Sequence, residues 1–575
     1  MRILFLTHSF NSLTQRLYDE LTHDGHDISV EFDINDRVTE EAVALWQPAL
    51  VVAPFLKRRI PASVWQRYRC IVVHPGPAGD RGPSALDWAI LEGATEWGVT
   101  AIEANGEFDA GPVWASRSFP MRPATKSSLY RREVTEAAVQ ALRLALQRLA
   151  AGEQPQAQAQ AALPASSPVQ TRPLMRQADR AIDWVQDDTA CVLRKLHAAD
   201  GTPGVLDEVL GLPVYLHGAH LEGGARPPAA TPGAVVAQRD GAILRATRDA
   251  AVWITHLRRA DGSEPAFKLP AALVLGQRLA GVPESPLAPD AVVDTPTWRE
   301  IRYEEAGQVG WLHFPFHNGA MGTAQCQALT AALRSAKARP TRVIVLAGGP
   351  DFWSNGIHLN LIEAHPQPAD ESWRNINAMN DLVLEILLTD RQLTVAALAG
   401  NAGAGGCFLA LAADRVWARR GVLLNPHYKS MGNLYGSEYW TYLLPRRVAP
   451  EAAHRLMDNR LPVNAVQAAS LGLVDAALDG DPEAFAAAVA SGAQALAADP
   501  GFEATLQAKV LGRAADEAAK PLAAWRAEEL ERMKLNFYGF DSSYHVARHA
   551  FVTKVPRSRT PLWLARHRTQ KPRPR

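Results

Sequence analysis

Two stretches of this sequence combine residue types that do chemistry with turns that expose them. Residues 70–93 read CIVVHPGPAGDRGPSALDWAILEG, and His74 ends a short apolar run just ahead of a Gly/Pro turn. A second apolar run, 99–103, leads to NGEFDAGPVW, with Asp109 in the turn. Histidine takes or gives a proton near neutral pH, and a carboxylate beside it can orient the ring. In the other stretch the apolar run 394–398 turns through Gly400, Gly403, Gly405 and Gly406 into a helical pattern at 407–413. The first N–H groups of a helix have no partner inside it, and its dipole there favours negative charge. Glycine lets a ligand approach such a main chain closely. Residues 341–349, TRVIVLAGG, form a similar run followed by PDFWSNGIHLN.

The elements that position these residues follow from the patterning. Strands are expected at 2–7, 26–32, 49–53 and 70–73, alternating with helices at 12–20, 40–46 and 83–93. Such alternation predicts an α/β, doubly wound parallel sheet, with ligands at the carboxyl ends of its strands, where His74 lies. No GxGxxG follows the first strand, so a dinucleotide is not supported. A long helix is expected over 127–150. Residues 151–172, rich in Ala, Gln and Pro, read as a linker, and 281–296, GVPESPLAPDAVVDTP, as a second. The expected units are therefore 1–150, 173–280, 297–560 and a basic tail at 561–575. The tail's Pro/Arg composition reads as a disordered end.

Whole-chain properties narrow the class. The 575 residues are too many for one core. Sixty basic and sixty acidic residues cancel, so no global field argues for nucleic acid or a membrane as partner. No run reaches the roughly 18 apolar residues of a membrane span, and the N-terminus lacks the architecture of a cleavable signal. Four widely spaced cysteines show no metal-ligand spacing and read as free thiols in a reducing compartment. A cytoplasmic protein without a metal site is expected.

Residues 1–150 resemble the formyltransferases that use N10-formyltetrahydrofolate. His74, Arg81–Gly82, Trp88–Ala89 and Asp109–Ala110–Gly111 match that family's motifs. The resemblance implies that His74 and Asp109 are catalytic and that Arg81 and Gly82 help hold the folate. One departure is Val72, where the family has an asparagine that polarises the formyl oxygen; valine donates no hydrogen bond. The segment QADRAIDW…VLRKLHAADGTPG, from residue 177, resembles the start of the same family's second domain, a small β-barrel of OB type.

Residues 297–560 resemble the crotonase (enoyl-CoA hydratase/isomerase) superfamily. Trp353, Gly356, Ile357 and His358 fall on its oxyanion loop, the 393–414 turn on its second half, and VNAVQAASLGLVD at 463–475 on its closing motif. The resemblance implies a ββα spiral and two oxyanion donors, the N–H groups of Ile357 and Gly405. Coenzyme A would lie along Ser354, Asn355, Gly356, Ile357 and Gly405. The two glutamates of the hydratases are replaced by Phe408 and His427, so hydration of an enoyl thioester is not expected. The replaced loop, LNPHYKSMGNLYGSEYWTY, offers His427, Tyr428, Tyr435, Glu438 and Tyr439, with Glu438 and Tyr439 the leading pair for a base.

Taken together, the two halves resemble a hydrogenase maturation family. That resemblance implies formyl transfer from N10-formyltetrahydrofolate to coenzyme A. Formyl-CoA would then break down to carbon monoxide for the metal site of a nickel–iron hydrogenase. The implied partners are small molecules and the hydrogenase large subunit or its assembly proteins. Two other readings stand beside it: an amine formyltransferase of the sugar-nucleotide or tRNA type, and a non-catalytic assembly scaffold. A continuous internal cavity between the two sites is expected, because a formyl thioester is reactive and water must be kept from it.

Overall fold

The computed structural model describes residues 1–157, 171–224 and 230–569. The centre of the expected first linker, 158–170, and the last part of the basic tail, 570–575, lie outside the described residues.

The first unit is a six-stranded sheet. Its strands are β1 (Arg2–Thr7), β2 (Asp27–Phe32), β3 (Leu50–Ala53), β4 (Cys70–His74), β5 (Glu96–Glu103) and β6 (Val113–Pro120), in the order β2-β1-β3-β4-β5-β6. The first four pair in parallel, as alternation with helices predicts. β5 and β6 run antiparallel, so the sheet is mixed and not wholly parallel as expected. The hairpin-like return of β6 brings the Asp109 turn back beside the end of β4. Ser12–His23 forms α1, capped by the Asn11 side chain. The helix expected over 127–150 is interrupted: Tyr130–Val134 is a π-turn, and Thr135–Ala150 continues as α2.

The second unit is a sheet of short antiparallel strands between Val205 and Arg259, in keeping with an OB-type barrel. The expected second linker is not free at its ends. Arg239 of this sheet donates to Ser285 O at 2.6 Å and to Trp298 O at 2.8 Å.

The third unit contains a sheet of Arg302–Ala306, Val309–Phe314, Val343–Gly348, Leu393–Leu398, Arg415–Arg419 and Ala476–Leu478. After its first antiparallel pair every neighbour is parallel, and Val343, Val345 and Val395 are fully buried. Helices Pro368–Leu387, Gly405–Leu411 and Leu522–Tyr538 close over this unit's core.

The basic tail departs from expectation. Within 561–569, Leu564 and Ala565 are buried against the first unit, and His567 is bonded to Ser29 and Glu31 of β2. Composition alone misses this because one buried carboxylate, Glu31, supplies the counter-charge.

Candidate active sites

β4 delivers His74 to the carboxyl edge of the first sheet, where it is buried. Its ring lies between two carboxylates. Nε2 is 2.9 Å from Asp80 Oδ2, and Nδ1 is 3.4 Å from Asp109 Oδ1. Asp109 adopts a left-handed conformation (φ 52°), which Asp tolerates better than most residues, and its Oδ2 accepts from Gly82 N at 3.2 Å. Gly82 itself (φ +118°) packs against the Arg172 carbonyl, where an added Cβ would clash. Arg172 N donates to Arg81 O at 2.9 Å. The chain after the linker is thus part of the wall behind Arg81 and Gly82. Val72 shares a strand face with His74 by alternation and adds apolar surface there.

Asp80 is the residue that motif reading missed. It is 1% exposed, and its Oδ1 has no hydrogen-bond partner among the described residues. A carboxylate closing the turn six residues after the histidine was the available signal. A histidine held between two carboxylates has its ring orientation fixed, an arrangement that suits proton transfer.

In the third unit, Gly405 is the first residue of its helix, and Gly356 (φ 77°) brings the Ile357 loop alongside it. A Cβ on Gly356 would stand 3.3 Å from Gly405 N. The two expected donor segments therefore lie side by side. Ser354 faces inward: its Oγ accepts from Gly356 N at 3.2 Å and so braces the loop. Asn355 donates from Nδ2 to Asn318 O at 2.8 Å. Next to Asn318, the ring of His317 stacks on His256 with centroids 4.0 Å apart. Burial, offset by Asp200 and reinforced by Arg131, Lys554 and Arg258, pushes nearby Lys268 down to about 8.

Glu438 closes over this pair of segments. It is 1% exposed, and its Oε1 occupies the space that a side chain at Gly405 would need. Its Oε2 accepts from Tyr428 OH at 2.7 Å and from Ser437 N at 3.1 Å. Burial, with the nearby charge of Glu529, raises its carboxyl to about 7. Tyr428 stacks on Phe408 (5.6 Å, 15°), so the phenylalanine that replaces the family's glutamate serves as an apolar wall.

Glu438 and Tyr439, expected as a pair, have different surroundings. Both adopt left-handed conformations (φ 61° and 58°), and Tyr439 points into the core, with Arg526 and Asp381 among its charged neighbours. Glu438 is the side chain that meets Gly405. His427 is also set apart. Burial beside Arg460 lowers it to about 4, and neither ring nitrogen has a hydrogen-bond partner among the described residues.

Two left-handed non-glycine residues in succession are strained and need support. Asn380 Oδ1 accepts from Glu438 N at 2.8 Å. Glu529 accepts from Tyr439 N (2.9 Å), Thr441 N (2.9 Å) and the Ser437 hydroxyl (3.1 Å). Glu529 is fully buried and raised to about 7 by burial. Sequence reading missed it, although it falls on the buried stripe Leu522, Glu529, Met533, Phe537 of its helix, where a carboxylate is out of place.

Known proteins match this chain in the same order. Residues 31–146 match the formyl transferase family, 174–267 the formyl transferase C-terminal domain, and 311–554 the enoyl-CoA hydratase/isomerase family. Methionyl-tRNA formyltransferase of Geotalea uraniireducens is 27% identical over 38% of this chain and 68% of its own length. HypX of Aquifex aeolicus, solved in complex with tetrahydrofolic acid, is 49% identical over 99% of both chains, with a TM-score of 0.95. Hydrogenase maturation factor HoxX of Bradyrhizobium diazoefficiens is 56% identical over 99% of this chain and 98% of its own. The likeness to that relative runs end to end, and the chain belongs to the HoxX family of hydrogenase maturation factors.

Proposed function

We propose that the protein makes carbon monoxide for hydrogenase maturation in two steps. At His74 the formyl group passes from N10-formyltetrahydrofolate to the thiol of coenzyme A. The N10–C bond breaks, the S–C bond forms, and the thiol proton ends on N10. His74 carries that proton, while Asp80 and Asp109 fix its ring. In the third unit, Glu438 takes the formyl proton of formyl-CoA. The C–S electrons leave with sulfur, CO is released, and the thiolate recovers a proton to regenerate coenzyme A. The N–H groups of Ile357 and Gly405 hold the thioester oxygen, a type of contact whose loss typically costs about 10²–10³ in rate.

The observation that carries this reading is the position of Glu438. A carboxyl raised to about 7 stands over the glycine where the thioester would lie. A base poised near the working pH is what proton abstraction needs. The basic group of Lys268, Arg258 and Lys554, reached from Asn355 through Asn318 and His317, suits the phosphates of coenzyme A. The pantetheine arm would reach both sites through the interior at the domain seam.

The test supplies labelled formyl-folate with and without coenzyme A and reads CO with myoglobin. CO that appears only with coenzyme A supports the route. Formylation of an amine without coenzyme A would replace it with the amine-transfer reading.

A further inference from the structure

The segment between β3 and β4, residues 54–69, carries five basic residues and no acidic one, in a chain whose charges cancel. Three of the five, Lys57, Arg58 and Arg59, are consecutive and exposed. Counter-charges around them are few. Arg58 stands 3.7 Å from the exposed Asp36, and Lys57 and Arg59 have no ion pair among the described residues. Glu107 on the neighbouring loop is exposed as well.

An exposed basic run is ordinarily a solvated face, but this one is fixed beside the first candidate site. Arg59 stacks its guanidinium on the ring of Phe108, 4.2 Å from the centroid. Phe108 is 57% exposed, although it directly precedes Asp109. Trp65 packs with Leu56 and Ala104, and lies 4.0 Å from where a Cβ on Gly106 would stand. Lys57 N donates to Asp33 Oδ2 at 3.1 Å, which pins the run at the carboxyl end of β2. Asp33 is engaged in turn by His8, whose Nδ1 is 2.9 Å from Oδ1. The run therefore borders the loop whose Asp109 lies 3.4 Å from His74 Nδ1.

We propose that Lys57, Arg58 and Arg59 bind the γ-glutamyl tail of the folate, so that the preferred formyl donor is a polyglutamylated N10-formyltetrahydrofolate. The inference rests on the reading that places formyl transfer at His74. N10 of the folate is bonded to the aminobenzoyl ring, and the far end of that ring carries the glutamate. With N10 at His74, the tail begins one ring's length from the reacting atom, and its carboxylates fall on the surface bordering the site. On the Phe108 side that border is the basic run. Each further glutamate adds one carboxylate and no cation. Guanidinium forks match carboxylates, and a patch of one sign concentrates a ligand of the other, more weakly as salt rises. A single exposed pair contributes little, so the effect accumulates with tail length.

The test compares N10-formyltetrahydrofolate carrying one glutamate with the form carrying four, using the full-length protein and saturating coenzyme A. The tetraglutamate should show a KM about tenfold lower, the scale of three weak exposed pairs, with kcat alike. Rising sodium chloride should shrink that advantage. In the triple variant Lys57→Gln, Arg58→Gln, Arg59→Gln the two KM values should come together. Arg58→Gln and Arg59→Gln alone should each lose part of the advantage, and they serve if the triple variant does not fold. Tryptophan fluorescence with the unformylated tetrahydrofolates, again with one or four glutamates, reads the same ratio as affinity without turnover. Equal KM and equal affinity in the wild type, or an advantage that persists in the variants, overturns the proposal and leaves formyl transfer at His74 standing. A protein that binds neither folate overturns the formyl-transfer reading and this proposal with it.

Discussion

Tyr428 donates its phenolic hydrogen to Glu438 Oε2 at 2.7 Å, while Glu438 Oε1 faces Gly405. One oxygen is anchored by a buried tyrosine and the other is presented to the cleft. The expected consequence concerns CO formation from synthetic formyl-CoA. Glu438→Gln should lose about 10²-fold or more, the usual scale for removing a general base. Tyr428→Phe should lose about tenfold, because the carboxylate remains but loses a charge-assisted hydrogen bond. Tyr439→Phe and His427→Ala should stay near the wild-type rate, since it is Glu438 that meets Gly405. Full activity in Glu438→Gln would move the chemistry elsewhere.

The pair Glu438 and Glu529 sets a pH dependence. Both carboxyls are raised from the usual 4.5 to about 7, first by burial, and Glu529 adds a like charge to Glu438. Abstraction needs ionised Glu438, so CO formation from formyl-CoA should rise with pH through an inflection near 7. Glu529→Gln removes the like charge and should move that inflection to lower pH. Tyr428→Phe removes the hydrogen bond that favours the carboxylate and should move it higher. Stability has the opposite sense. Carboxyls with raised folded values bind protons more tightly in the folded state, so stability falls as pH rises from about 4.5 towards 7. That fall should shrink in Glu529→Gln. Unchanged pH profiles for both activity and stability would remove the coupling.

These residues also mark how far the sequence can be read. His74, Asp109, Gly405 and the Ile357 loop were legible because each sits within a few residues of a glycine turn that ends a strand, and that local pattern survives without the fold. Asp80 was partly legible, since it closes the same turn as His74. Glu529 acts on residues about ninety positions upstream, and nothing local to its helix says that Ser437, Tyr439 and Thr441 arrive there. The split between Glu438 and Tyr439 depends on two left-handed backbone conformations, which composition does not signal. The antiparallel β5 and β6 read as ordinary strands, because pairing direction is set by connections and not by strand residues.

The two reactions should separate by mutation. His74→Ala and Asp80→Asn should each lower formyl transfer from folate to coenzyme A, the first by about 10²-fold or more and the second less, because the ring keeps Asp109 as a partner. Both variants should still release CO from added formyl-CoA at the wild-type rate. A variant that lost both activities while folded would argue for one shared site.

The last prediction concerns the returning C-terminal segment. Glu31 on β2 is wholly buried, and its carboxylate is satisfied almost entirely by residues more than 500 positions away. Thr560 Oγ1 donates to Oε1, and His567 Nε2 and Arg568 Nη2 lie 3.0 and 2.6 Å from Oε2. The strand's Phe32 N donates to Thr560 Oγ1 at 2.8 Å, and Leu564 O accepts from Val30 N at 3.0 Å. The segment therefore covers strand edge β2, seals Leu564 into the first core and neutralises Glu31 in one contact. Removing partners of a buried charge typically costs about 3–5 kcal/mol. His567→Ala together with Arg568→Ala should destabilise the first unit by roughly that amount, seen as a lower denaturant midpoint. Adding Glu31→Gln to the same protein should recover a good part of the loss, because the uncompensated charge is gone. If the double variant is as stable as the wild type, or if Glu31→Gln makes it worse, the segment is held by Leu564 and its apolar neighbours and not by the Glu31 network.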